Sequence, residues 1–215
     1  RLRRVIPEGS AEVLAKLEPA HVHLFIDACH SEVVVGGRGK FEQEVDEPIA
    51  PVDSREAQRA FETRLPTRFP RVGAIMATTV DQQAHEWSRL ESGVFTHELL
   101  SALSGAADVN GDGVLEYSEL AAFIASANRA VADPRATPRV VALAPRVNVH
   151  APVLALARLK DTGFLKGQFA VGHFHVELEN GQRLLDANFA LDQFAAVALP
   201  AGRVFLVASG QEVEL

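Results

Sequence analysis

Apolar and polar positions along the chain fall into two regimes. Over residues 1–130, short β-favouring runs alternate with stretches of helical spacing. Val13, Leu14 and Leu17 predict one face of a short helix over 10–18, with Ser10 as N-cap, Glu12 in the first turn and Pro19 as the stop. His21 to Ile26 is a β-favouring run, largely apolar on both faces, which predicts a central parallel strand covered by helices. Residues 31–53 carry Gly36, Gly37, Gly39, Pro48 and Pro51 and predict a long irregular loop. Ser54 caps a helix expected to run to about Arg64, before Pro66 and Pro70. Val72 to Thr79 (VGAIMATT) is a second buried strand. Gly93 precedes a helix from Val94 to about Leu103, and another is expected from about Ser118 to Val131, after a Gly- and Asp-rich loop. This alternation predicts an α/β fold with crossover helices on a mostly parallel sheet.

The pattern changes after about residue 135. Pro134, Pro138, Pro145 and Pro152 space out a linker-like stretch. Asn180-Gly181 lies between two β runs, 173–179 and 182–187, and predicts a tight hairpin; Ser209-Gly210 predicts a second between 203–208 and 211–215. The chain therefore divides into an expected α/β domain, 1–135, and a linker with a small β-rich C-terminal appendage, 136–215.

Composition narrows the chemistry. The 215 residues are 47% hydrophobic and 23% charged, with 21 basic against 28 acidic side chains and a net charge of −7. A net acidic chain is a poor non-specific nucleic-acid binder. There is no apolar run of membrane-spanning length and no signal-peptide layout. One cysteine excludes an internal disulfide framework and a multi-cysteine zinc site, so a reducing, cytoplasmic setting is expected. The chain starts at Arg1 rather than Met, and a preceding stretch is expected.

That single thiol, Cys29, follows a strand directly. Ligand and catalytic sites of open α/β sheets lie outside the carboxyl ends of the strands. A lone cysteine is more often a small buried hydrophobe, but Asp27, His30, Ser31 and Glu32 make this one's surroundings polar, which suits a reactive thiol. Asp27-Ala28-Cys29-His30-Ser31 resembles the catalytic-cysteine motif of the caspase-like clan, in particular metacaspases and bacterial caspase-like peptidases. Ala77 to Glu86 (ATTVDQQAHE) resembles the next strand and substrate-pocket loop of that family, and Gly93 to Leu100 (GVFTHELL) resembles the following helix. The chain departs from the family at Glu32, where glycine is usual.

The resemblance implies a caspase-like α/β/α sandwich and a cysteine endopeptidase with Cys29 as nucleophile. It also implies that Asp27 selects a basic residue, Arg or Lys, before the scissile bond, with Asp81 and Gln83 lining or bracing the same pocket. Strand alternation independently places Asp27 and Cys29 on one face, where a carboxylate pairs well with a guanidinium. Thiolate formation at neutral pH needs a histidine within hydrogen-bond reach. His21 and His23 lie roughly 20 Å or more back along the strand at about 3.3 Å per residue. The family's dyad histidine lies upstream of the cysteine, so the base is expected on an N-terminal fragment of the same precursor. Peptide substrates with basic residues and that fragment are the expected partners. Two alternatives stay open: a catalytically silent calcium-dependent interaction module, and a non-proteolytic thiol enzyme.

Asp108 to Glu119 (DVNGDGVLEYSE) fits an EF-hand calcium loop. Oxygen ligands fall at Asp108, Asn110 and Asp112, Gly113 allows the sharp turn, Val114 offers its carbonyl, Glu116 acts directly or through water, and Glu119 closes the shell as a bidentate ligand. Calcium is the expected cofactor, in a structural or a gating role. The competing account is an Asp/Gly turn that caps the next helix.

Overall fold

A computed structural model describes residues 21–27, 54–78, 86–87, 92–133, 137–160 and 162–215. The elements begin with β1 (Val22–Ile26), α1 (Ser54–Arg68), β2 (Val72–Thr78), β3 (Glu86–Trp87), β4 (Ser92–Gly93) and α2 (Val94–Ser101), which widens into a π-helical segment, Ala102–Ala106. Next come β5 (Val114–Leu115), α3 (Tyr117–Ser126), β6 (Arg139–Leu143) and β7 (Leu154–Ala155). Six strands end the chain: β8 (Thr162–Phe169), β9 (Gly172–Leu178), β10 (Arg183–Phe189), β11 (Gln193–Pro200), β12 (Val204–Ala208) and β13 (Gln211–Glu214).

β2 is the strand that its sequence predicts, buried on both faces. Val72, Ala74 and Met76 turn to one side and join Phe61 and Leu65 of α1 in a small apolar cluster. Ile75 and Ala77 turn to the other side and enter the main core, as period-two alternation requires. β1 runs parallel to β2, with Val22 opposite Val72 and Ile26 opposite Met76. α1 continues through Pro66 to Arg68, past the expected end near Arg64. Buried Leu65 anchors that last turn, and its carbonyl accepts a hydrogen bond from the Phe69 amide at 2.9 Å.

The expected caspase-like α/β/α sandwich with a mostly parallel central sheet does not form. Strand accounts for 41% of the structure and helix for 25%, and several of the sheets are antiparallel. β1–β2 is the one parallel pair among the described residues. β6, from the proline-spaced stretch, returns antiparallel to β2 and makes a mixed sheet of order β1-β2-β6. β1 is thus at an edge of the described sheet, half-buried, with Phe25 40% exposed. The C-terminal strands are not an appendage either. Phe174, Val176, Leu185, Phe189, Val197 and Val204 share one core with Phe95 and Leu99 of α2 and Leu120 and Phe123 of α3. Phe189 meets Phe123 edge-on at 6.5 Å and Phe174 at 5.2 Å, a geometry that adds to area burial. The physical reason is the apolar side chains of 162–207: two-stranded hairpins alone cannot bury them, and the helices offer a matching face.

Both predicted hairpins form. Gly181 has φ 82 between β9 and β10; Ser209 and Gly210, at φ 52 and 75, join β12 to β13. These strands make the sheet β10-β9-β12-β13, while β8 pairs with β11 across a longer separation. β11 lies so close to the π segment that a Cβ on Gly105 would stand 3.0 Å from the Ala196 carbonyl oxygen.

Candidate functional site

Two groups of sequence-selected residues meet the helices α2 and α3. The first is at the carboxyl end of β1. Asp27 is exposed there, and its Oδ2 accepts a hydrogen bond from the Thr96 hydroxyl in the first turn of α2. α2 begins after Gly93, which has no side chain to cap it, and its first turn holds no acidic residue. Asp27 therefore supplies, from another strand, the negative charge that a helix N-terminus favours. Cys29, Asp81 and Gln83 lie outside the described residues, as do the expected helix over 10–18 and the loop over 31–53.

β1 is gripped a second time, further back. The Tyr117 hydroxyl and His23 Nδ1 are 2.6 Å apart, and their rings stack at 5.8 Å. Tyr117 opens α3 and is 2% exposed. Burial drives its phenol pKa upward, so it stays protonated. Glycine at position 73 of β2 makes room for it.

The second group is the loop between the two helices. Asp108 is fully buried; its Oδ2 accepts from the Gly113 amide at 3.1 Å, and its Oδ1 has no hydrogen-bond partner among the described residues. Asn110 Oδ1 accepts from the Asp112 amide at 2.9 Å, and Asp112 Oδ1 from the Val114 amide at 2.8 Å. Glu119 Oε2 accepts from the Glu116 amide at 3.0 Å, while its Oε1 is buried without a partner. Gly113 has φ 78, a left-handed conformation that glycine adopts without strain. The Glu119 carboxyl pKa is raised, first by burial and then by the charges of Asp112, Asp108 and Glu116, against the opposing hydrogen bond from the Glu116 amide. Two buried carboxylate oxygens without a partner among the described residues, with Asp112, Asp108 and Glu116 acting electrostatically on Glu119, suit a hard divalent cation that takes oxygen ligands, although the carboxylates of this loop are not drawn together into a metal-binding cluster. Glu116 and Glu119 form the reciprocal capping box at the start of α3 that the competing account expects; the box leaves Asp108 Oδ1 and Glu119 Oε1 without a partner among the described residues. Asp108, Asn110, Asp112, the Val114 carbonyl, Glu116 and Glu119 would supply the ligand shell.

A feature with no local sequence signal braces this loop. β5 pairs with β7, Val114 opposite Ala155 and Leu115 opposite Leu154. The Val153 amide donates to the Leu115 carbonyl at 2.7 Å, and the Leu156 amide to the Gly113 carbonyl at 2.8 Å. A segment some forty residues downstream thus fixes the middle of the loop. His150 Nδ1 also approaches Glu116 Oε2 at 3.2 Å.

Four described histidines have partners: His23 meets Tyr117, His150 meets Glu116, His173 meets Asp186 and His175 lies near Glu177; His97 is buried in α2 next to Thr96. Among the described residues no helix is long and apolar enough to cross a membrane. In comparisons with known proteins, the chain matches no family model, no curated protein and no solved structure.

Proposed function

We propose that this chain belongs to a cysteine endopeptidase that cleaves after basic residues, and that a calcium ion in the Asp108–Glu119 loop fixes the helices that hold its nucleophile-bearing strand. The observation that carries this is the contact between Asp27 and Thr96. The two stretches that resemble caspase-like peptidases, 27–31 and 93–100, are 69 residues apart at these positions and touch in space. Their juxtaposition places Asp27 beside the helix start, two residues before Cys29.

In this reading the Cys29 thiolate attacks the carbonyl carbon before the scissile bond, and the carbonyl oxygen becomes an oxyanion held by backbone amides. The tetrahedral adduct collapses to a thioester as the histidinium gives its proton to the departing amine. Water, deprotonated by the same histidine, then hydrolyses the thioester and restores the thiol. Asp27 pairs with a substrate guanidinium or ammonium group. With His23, His150, His173 and His175 beside other groups, the dyad base is assigned to an N-terminal fragment of the same precursor. A reducing compartment, the cytoplasm, suits such a thiol.

The test is a fluorogenic Arg-terminated peptide assay on the full-length gene product, beside Cys29→Ala and Asp27→Asn. The reading expects hydrolysis that Cys29→Ala abolishes and that Asp27→Asn shifts away from basic residues. Activity indifferent to Cys29→Ala refutes the peptidase.

Calcium binding rests on its own observation, the two orphaned oxygens on Asp108 and Glu119. Titration calorimetry should show calcium binding that Glu119→Gln weakens by about tenfold or more. Absence of heat from the wild type refutes that half. Calcium binding without peptidase activity leaves the calcium-dependent interaction module.

A further inference from the structure

A second cluster of ligating side chains lies on the β9–β10 hairpin, away from the calcium loop and from the end of β1. His173 and His175 are two apart on β9 and so share a face. Asp186 of β10 is directly opposite His175 in the antiparallel register. One potential ligand atom from each of the three lies within 4.8 Å of the others. His173 Nε2 is 2.9 Å from Asp186 Oδ1, and the two imidazole centroids are 5.6 Å apart.

The surroundings hold these groups in place. Arg183 donates to Asp186 Oδ2, which leaves Oδ1 toward His173. Glu177 Oε2 is 3.4 Å from His175 Nε2, while His175 Nδ1 is buried with no hydrogen-bond partner among the described residues. His97 of α2 carries a further buried nitrogen, Nε2, without a partner among the described residues. Asp186 is 1% exposed, while the His173 side chain keeps 40% exposure, which gives an ion a way in from solvent.

We propose that His173, His175 and Asp186 form a binding site for a divalent first-row transition metal, with zinc as the ion it fits. Two imidazoles and one carboxylate form a donor set that zinc accepts and that calcium and magnesium, which require oxygen shells, do not favour. The outer partners match as well. A ligating histidine usually has a carboxylate near its other nitrogen, and Glu177 lies 3.4 Å from His175 Nε2; a ligating carboxylate is itself hydrogen-bonded, as Asp186 is by Arg183. Two neutral nitrogens and one anionic oxygen leave coordination positions for water or a further ligand. A plain ion-pair cluster accounts for Asp186 and Arg183 but leaves the buried His175 nitrogen unused.

The test uses the full chain with calcium saturating and zinc or cobalt(II) added alone. The expected results are a visible cobalt(II) absorption that zinc displaces, and a zinc-dependent rise in melting temperature. His173→Ala, at a partly exposed position, should lose the absorption and bind zinc at least roughly tenfold more weakly, while His21→Ala binds as wild type. Zinc should also shield His173 from diethylpyrocarbonate, read by peptide mapping, a measurement that needs no variant. Absence of cobalt absorption and of zinc-induced stabilisation in the wild type overturns the site, as does equal zinc affinity in wild type and His173→Ala.

Discussion

Replacing Gly73 by alanine tests how the Asp108–Glu119 loop is tied to β1. The added methyl would stand 2.2 Å from the Tyr117 hydroxyl oxygen, 2.3 Å from its Cζ and 2.8 Å from Pro145 Cδ. Ordinary carbon contacts lie at about 3.5–4 Å, so the Tyr117 ring must retreat by more than about 1 Å. It has nowhere to go without loss, because it is 2% exposed and its hydroxyl meets His23. Overpacking of this kind costs about 1–3 kcal/mol, and the broken hydrogen bond adds about 1 kcal/mol. The sum is about 2–4 kcal/mol. For a chain of 215 residues that lowers the melting temperature by roughly 5–15 °C. Calorimetric melting and urea titration measure it, with and without calcium. Tyr117→Leu in the Gly73→Ala background removes the clashing atoms and should shrink the cost of the methyl group in a double-mutant cycle. The reasoning is refuted if Gly73→Ala melts with the wild type, or if its cost is the same with Leu at 117. Tyr117 also lies inside the loop, so Gly73→Ala should weaken calcium binding in the same titration.

Further expectations follow from the core and the loop. Calcium at about a hundred times its dissociation constant should stabilise the chain by about 2.7 kcal/mol, and Glu119→Gln, binding about tenfold more weakly, should cut that gain to about 1.4 kcal/mol or less at the same calcium concentration. Phe189→Ala should cost about 3–5 kcal/mol and leave one cooperative transition, because Phe189 joins the C-terminal sheet to α3; a separate transition for residues 162–215 would contradict the shared core. Glu98 is buried in α2, and burial, then the Asp186 charge, raises its carboxyl well above the ordinary 4.5, against the hydrogen bond from Asn128. Below that ordinary value both folded and unfolded chains hold the proton. Above it the unfolded chain releases it first, so stability is lost as pH climbs toward the folded-state value. Glu98→Gln should therefore gain on the wild type as pH rises above 4.5 in urea titrations, and a pH-independent difference would refute this.

Several features were legible because their information is local. Ser209-Gly210 forms the two-residue hairpin its sequence predicts, with both residues at positive φ; Asn180-Gly181 also marks a hairpin, but Leu178 pairs with Gln182 and only Gly181 has positive φ, so that turn takes three residues instead of two. VGAIMATT reads as a strand buried on two faces because each alternate side chain is apolar, and both faces of β2 are covered. The order of oxygen-bearing residues around Gly113 encodes a loop whose backbone turns where glycine permits. The partnership of β6 with β2 was not legible, nor was that of β8 with β11, nor the brace of β7 on the calcium loop. Proline-spaced residues 134–152 carry turn signals that mask a five-residue strand, and β8 and β11 are separated by a complete hairpin.

The sequence alone left β6, β8 and β11 unmarked, but it marked β1, β2, the three helices and the two C-terminal hairpins, and which residues carry oxygen, thiol and imidazole chemistry. Each of those depends on side chains a few positions apart. Only the tertiary structure decided that the sheets are largely antiparallel, that the C-terminal strands complete the helices' core, and that His173 and His175 meet Asp186. Such pairings come from many weak apolar and hydrogen-bond terms summed over distant segments, and no short window of sequence contains that sum.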